Sequence, residues 1–159
     1  MIRRSRELKP LSSEHQQALL VAFQLKQGIA GHAESAGAPR DLAGLLGLAR
    51  RFHERVLTSH IRAEEELLGS CMAQDDLRRM SSEHLQLGRL IESIRRESGE
   101  TRAALLAYAD LLDRHVRWED REIFDKCESA LDHDALAIVG QELERRLVLA
   151  RTDARASRR

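Results

Sequence analysis

Apolar residues recur along this chain at three- and four-residue steps, the period of one buried face of an α-helix. The first stripe runs Leu11, His15, Leu19, Ala22 and Lys26/Ile29, behind Pro10 and with Ser12 or Ser13 placed to cap the helix. Gly28 to Pro39, rich in Gly and Ala, reads as a helix end and a loop. Asp41 can then cap a second helix reaching to about Gly69, whose face collects Leu45/Leu46, Ala49, Phe52/His53, Val56, His60, Ala63/Glu64, Leu67 and Cys71. A third begins near Asp75 or Asp76, shows Leu77, Met80/Ser81, His84, Leu87, Ile91 and Ile94, and stops at Ser98-Gly99. A fourth runs from about Thr101 to Ser129 through Leu105, Tyr108, Leu111/Leu112, His115, Trp118/Glu119, Glu122/Ile123 and Phe124 or Cys127. The last starts at Asp132 and presents Leu136, Val139, Leu143 and Leu147.

The short connections after the second and third helices favour antiparallel neighbours. The expected fold is therefore all-α, an up-down-up-down four-helix bundle with an additional short C-terminal helix. The 159 residues suit one domain. Its core spans about 11–130, a covering helix about 132–150, and a basic tail follows at 151–159.

Composition sharpens this picture in two ways. Aromatics are only 3% of the chain, so the core must be built from Leu, Ile, Val and Ala. Net charge is zero and most basic residues sit beside acids, which removes the electrostatic footprint of a nucleic-acid binder. No run reaches transmembrane length, and Ala18 to Phe23 is too short and too closely flanked by His15, Gln16 and Gln17 for a secretory leader. A cytoplasmic protein with no membrane partner is expected. The two cysteines form no CxxC; Cys71 shares the face of His60, whereas a straight helix points Cys127 away from that of His115, so no redox pair is expected.

The chemistry lies in the histidines. Each half of the chain carries Ser-Ser-Glu-His (12–15 and 81–84) and then His-x-x-x-Glu (60–64 and 115–119). The spacing alone is weak: 7 His and 16 Glu in 159 residues supply about 0.7 such pairs by chance, and an i,i+4 ion pair on a wet face explains one readily. Position decides the matter. His15, His60, His84 and His115 all fall within apolar stripes, and Glu64 and Glu119 lie about 40° from their histidines, so they too point inward. A buried carboxylate costs several kcal/mol without a counter-charge, and no Lys or Arg in these stripes is an obvious partner. One inward His on each of four helices, with two inward Glu, is what a dinuclear metal site in a bundle core requires. Imidazole and carboxylate without thiolate favour iron or manganese over zinc.

At LSSEHQQAL, SHIRAEEELL and LLDRHVRWEDREIF the chain resembles the hemerythrin family, specifically its bacterial HHE-type domains, from Leu8 to about Leu147. The resemblance implies a four-helix bundle holding two iron ions in an oxo- or hydroxo-bridged centre. His15 and His60 would then bind one iron, His84 and His115 the other, and Glu64 and Glu119 would bridge them. Oxygen carriers of the family have a further histidine four residues after the one matching His84; here that position is Gly88. Glu65, Glu83, Asp120 and Glu122 are candidates to replace it. Glu119 is a better bridge than Asp120, which a straight helix turns about 140° from His115.

His53 is expected to be a core or access-channel residue, His32 and His133 to face solvent, and Tyr108 and Trp118 to be core packing. The expected function is a non-haem di-iron protein binding O₂ or a related small diatomic or peroxide ligand, for sensing, storage or detoxification. A di-iron oxidoreductase acting on peroxide or NO, or repairing iron–sulfur clusters, is the alternative. A metal-free helical interaction module with a protein partner is the third.

Overall fold

A computed structural model describes residues 5–96 and 100–149. The expected stop at Ser98-Gly99 and the basic tail from Arg151 lie outside the described residues. Among those described, every regular element is helical. Helix α1 spans Lys9–Ile29, α2 Leu42–Phe52, α3 Thr58–Leu68, α4 Gln74–Arg95, α5 Thr101–Trp118, α6 Phe124–Ala130 and α7 His133–Leu143. Two single π-turns, His53–Leu57 and Glu119–Ile123, join α2 to α3 and α5 to α6, so each pair forms one continuous rod.

Local chemistry explains most boundaries. Asp41 caps α2 by accepting from the Gly44 N–H at 2.8 Å, and Asp132 caps α7 by accepting from the Ala135 N–H at 2.8 Å. Helix α1 starts earlier than the serines suggest. It begins at Lys9 with Pro10 in its first turn, where the missing N–H costs nothing, so Ser12 and Ser13 lie inside the helix. It ends with Gly31 at φ 86°, where the Gly31 N–H reaches the Gly28 carbonyl and the His32 N–H the Gln27 carbonyl. This paired closure needs a left-handed residue, the conformation glycine adopts freely.

Helix α1 packs against α2 and α5, and α4 against α3 and α5, so the four rods close a ring around the axis. The core between them is divided. One apolar cluster is built from residues such as Leu25, Leu45, Phe52, Leu57, Leu87, Ile91, Tyr108 and Leu112. The other contains Leu11, Ala63, Leu68, Met80, Trp118, Phe124 and Cys127, together with Val139, Leu143 and Leu147 from α7 and the π-turn Glu144–Leu149. On every rod the inward histidine falls between residues of the two clusters, so a polar layer separates two apolar halves. Helix α7 closes the second half. Gly140 makes this possible, because a Cβ there would come within 3.0 Å of the Glu7 Cα.

The π-turns correct three expectations. Each spends one more residue per turn than an α-helix and so shifts everything beyond it by about 100°. Leu57 therefore takes the buried place expected of Val56, and Glu122 faces solvent while Ile123 and Phe124 are buried. The same shift brings Cys127 back onto the face of His115. The structure joins it to Cys71 in a disulfide, with Cα atoms 5.2 Å apart. The expectation of unpaired cysteines is thus overturned, because it assumed a straight helix. No helix among the described residues is long and apolar enough to cross a membrane.

The bond spans a sequence separation of 56 residues. Loop-closure entropy for that length corresponds to about 4 kcal/mol, with about 2–4 kcal/mol usually observed. Reduction, or Cys71→Ser, is expected to lower unfolding stability by about 2–4 kcal/mol in denaturant titrations. The two treatments together should cost no more than either alone. Full additivity would show that the sulfurs act separately.

Candidate metal centre

The polar layer is built from one turn of each rod. Helix α1 supplies His15, α3 supplies His60 and Glu64, α4 supplies His84, α5 supplies His115, and the π-turn after α5 supplies Glu119. All six are buried, with Glu64 and Glu119 fully so. Their donor atoms form two groups of four, His15/His60/Glu64/Glu119 and Glu64/His84/His115/Glu119, within each of which the atoms lie within 4.8 Å of one another. The structure thus brings together all six residues singled out by their inward position, and both groups share the same two carboxylates.

Geometry at the centre separates this layer from an ordinary ion-pair network. His60 Nε2 lies 3.1 Å from Glu64 Oε1, His115 Nε2 3.0 Å from Glu119 Oε1, and His15 Nε2 3.3 Å from Glu119 Oε2. Despite these distances, both oxygens of Glu64, both of Glu119, and the Nε2 atoms of His84 and His115 are buried without an aligned hydrogen-bond partner. Orphaned buried polar atoms are costly, and here they are concentrated at one point. Donors aimed at a shared cation have this arrangement, and imidazole with carboxylate is a donor set that divalent transition metals accept. The residues present therefore fit a metal site.

The outward ring nitrogens are satisfied. Carboxylates accept from the Nδ1–H groups of His15 (Asp120, 2.9 Å), His60 (Glu14, 2.7 Å), His84 (Glu65, 2.8 Å) and His115 (Glu83, 2.7 Å). An accepting carboxylate at Nδ1 keeps that proton on the outer nitrogen and turns Nε2 to the centre, where its lone pair is free to bind a metal once any proton there is lost. Around this shell, Phe124 stacks on His15 at 4.9 Å between centroids, and the Arg79 guanidinium lies 4.0 Å over the Trp118 ring.

Electrostatics follow from burial and proximity. Burial lowers the pKa of His15 and of His115, but surrounding carboxylates outweigh it. Asp120, Glu119 and Glu64 hold His15 well above its usual 6.5, and Glu119 and Glu83 push His115 up to about 10. Burial opposes ionisation of Glu64, yet the neighbouring imidazoles of His60, His15 and His84 hold its carboxyl well below 4.5. Glu119 is also lowered, by His115 and His15, against burial and the charge of Glu64.

Asp120, Glu65 and Glu83 do not enter the central groups; they hold the outer faces of imidazoles. Glu122 is exposed beside Lys126. Glu14 is the functional residue that sequence reasoning missed, since it reads as part of a helix-capping segment. The signal was present, as an acid adjoins a central donor at Glu14-His15, Glu64-Glu65, Glu83-His84 and Glu119-Asp120. His53 is turned off the His60 face by the π-turn between them, and its Nδ1 lies 3.2 Å from the Tyr108 hydroxyl. His32 and His133 are exposed. Gly88 sits one turn beyond His84, and a Cβ there would meet nothing within 4 Å.

A family model described as "Hemerythrin HHE cation binding domain" matches residues 6–127. The chain belongs to the hemerythrin family, whose domain binds metal cations, and its buried His/Glu cluster fits that role. No curated protein and no solved structure matches the chain significantly.

The shifts fix the sign of a pH dependence for the metal-free protein. His15 and His115 have raised pKa values, so their contribution is complete below about 6.5 and is lost as pH rises through about 10 for His115. Glu64 and Glu119 have lowered values, so theirs is present above 4.5 and is lost at lower pH. Chelator-treated protein should melt highest between about pH 4.5 and 6.5 and progressively lower toward pH 10. Metal uptake displaces the imidazole protons, so affinity should rise over the same alkaline range. Melting temperatures that stay level up to pH 10 would contradict this electrostatic account.

Proposed function

We propose that this protein is a non-haem di-iron protein that binds O₂ or a related small ligand, in a bundle of up-down-up-down topology. His15 and His60 would hold one iron, His84 and His115 the other, and Glu64 and Glu119 would bridge them. The observation that carries this reading is the pair of donor groups sharing two fully buried carboxylates whose oxygens have no aligned partner. A single cation would leave one imidazole pair unligated, whereas two cations use all six inward residues and offset both carboxylate charges.

Each group offers two imidazoles and both carboxylates, and Gly88 adds no side chain to either. Four protein donors leave positions for an external ligand on a six-coordinate ion. The bound irons would supply a redox-active Lewis-acid pair able to take up a small oxygen- or nitrogen-containing molecule. The chain's part is to hold the donors and keep the approach apolar. Beside His15, His60 and His115 the packing leaves a void too narrow for a water molecule, lined by Glu14, Ala18, Phe52, Val56, Leu57 and Val116. The open coordination positions support sensing, storage or detoxification of a diatomic, and by the same argument NO or peroxide turnover as the second reading.

The test is anaerobic Fe(II) loading followed by metal analysis and a visible–ultraviolet spectrum. About two irons per chain, with near-ultraviolet charge-transfer absorption after oxidation, are expected. Protein that stays colourless and iron-free sinks the reading. Glu64→Ala and Glu119→Ala should each weaken iron binding more than the 10–100-fold that outer partners typically cost. His53→Ala should keep its iron, since its partner is Tyr108. Stopped-flow mixing of the reduced protein with O₂, NO and peroxide then separates binding, seen as a reversible change, from turnover.

A further inference from the structure

The four outer carboxylates are not scattered. Glu14, on α1, holds His60 on α3; Glu65, at the end of α3, holds His84 on α4. Glu83, on α4, holds His115 on α5, and Asp120, in the π-turn that continues α5, holds His15 on α1. Each rod thus gives an acid to the histidine of the next, and the fourth link returns to the first. The cycle follows the order in which the rods pack around the bundle. Every acid also adjoins, in sequence, a central donor of its own rod, so moving one donor moves the acid that aims its neighbour.

We propose that Glu14, Glu65, Glu83 and Asp120 form a closed ring of positioning residues. The ring fixes all four imidazoles in the Nε2-inward tautomer and sets the oxidation-state preference of the bound metal. Two consequences follow from the chemistry. A carboxylate on Nδ1–H makes the imidazole a more basic ligand and restricts its rotation, which raises metal affinity. Four formal negative charges around a centre that already holds Glu64 and Glu119 favour the more highly charged state of the metal, lowering its reduction potential. The first consequence depends on an acceptor being present, the second on its charge.

Burial grades the four positions. The side chain of Glu14 is 4% exposed, Glu83 19%, Asp120 31% and Glu65 40%. Water screens a charge in proportion to its exposure, so the charge effect should fall in that order. Glu83 also accepts from Arg79 at 3.0 Å, which partly offsets its charge. Glu14 is therefore the dominant member and Glu65 the weakest. A residue that merely supported the fold would give no such ordering of potentials.

The inference rests on the di-iron reading, and the experiment separates the two. Full-length wild type and the variants Glu14→Gln, Glu14→Ala, Glu65→Gln and Glu65→Ala are loaded with Fe(II). Affinity is measured by chelator competition and reduction potential by redox titration. Glu122→Gln serves as a control for loss of one nearby exposed charge.

Glu14→Ala should bind Fe(II) about 100-fold more weakly and Glu65→Ala about 10-fold. Glu14→Gln, whose amide oxygen still accepts from Nδ1–H, should recover most of the affinity yet show a raised potential. Glu65→Gln should move the potential in the same direction by less, and Glu122→Gln should match wild type. If Glu14→Ala fails to fold, the half-exposed Glu65→Ala still reads the positioning role. Wild type that takes up no iron overturns the di-iron reading and the ring with it. Wild type that loads two irons while both Ala variants bind like it overturns the ring alone. Potentials unchanged in both Gln variants overturn its electronic role.

Discussion

The structure depends on one costly arrangement, two carboxylates held side by side in the middle of a helical bundle. Glu64 and Glu119 are fully buried, and none of their oxygens has an aligned hydrogen bond. Imidazolium neighbours offset part of the cost in the metal-free chain, as the opposed shifts of Glu64 and His115 show. A hydrophobic layer of similar volume would commonly be neutral or more stable. What the arrangement provides is a set of buried donors that, apart from the 3.1 Å contact between the His15 and His60 Nε2 atoms, have no aligned hydrogen bond with one another. The apolar clusters above and below hold it in place, and they remain separate because the layer lies between them.

The π-turns matter more than their five residues each suggest. Without the turn at Glu119–Ile123, Cys127 would face away from Cys71. With it, one rod delivers a central donor, an outer acid and a half-cystine to the interior. The turn at His53–Leu57 moves His53 from the His60 face to Tyr108 and puts Leu57 into the void's wall. π-turns are found mostly where function repays an irregular helix. In this protein the turns at His53–Leu57 and Glu119–Ile123 lie on the two rods that carry His-x-x-x-Glu.

This explains what was legible in the sequence. Helix number, stripes and the six inward donors follow from a period of 3.6, and they were readable because the histidines occupy core positions. Asp41 and Asp132 were readable as caps because their chemistry is local. Where a straight helix was assumed through a π-turn, single residues were misplaced: Leu57, Glu122 and Cys127. No local composition marks these turns, since Glu119 to Ile123 reads as good helix. Glu14 was missed for a different reason. Its role is set by a histidine 46 residues away on another rod, and its one local signal, adjacency to His15, lies within a segment that reads as a helix cap.

The two halves of the repeat are therefore alike in logic and unlike in environment. Each half supplies an acid–His pair, a His-x-x-x-Glu and a further acid, and the cycle of hydrogen bonds treats them equivalently. Solvent does not. The pair His15/His60 is held by Glu14 and Asp120, whose side chains are 4% and 31% exposed; the pair His84/His115 is held by Glu83 and Glu65, at 19% and 40%. Phe124 stacks on His15, whereas Gly88 stands one turn from His84 and contributes no side chain. The wetter outer acids and the absent side chain thus fall on the same half. A centre with equal donor counts is made unequal by its surroundings, and that inequality distinguishes the two donor groups without changing a single donor.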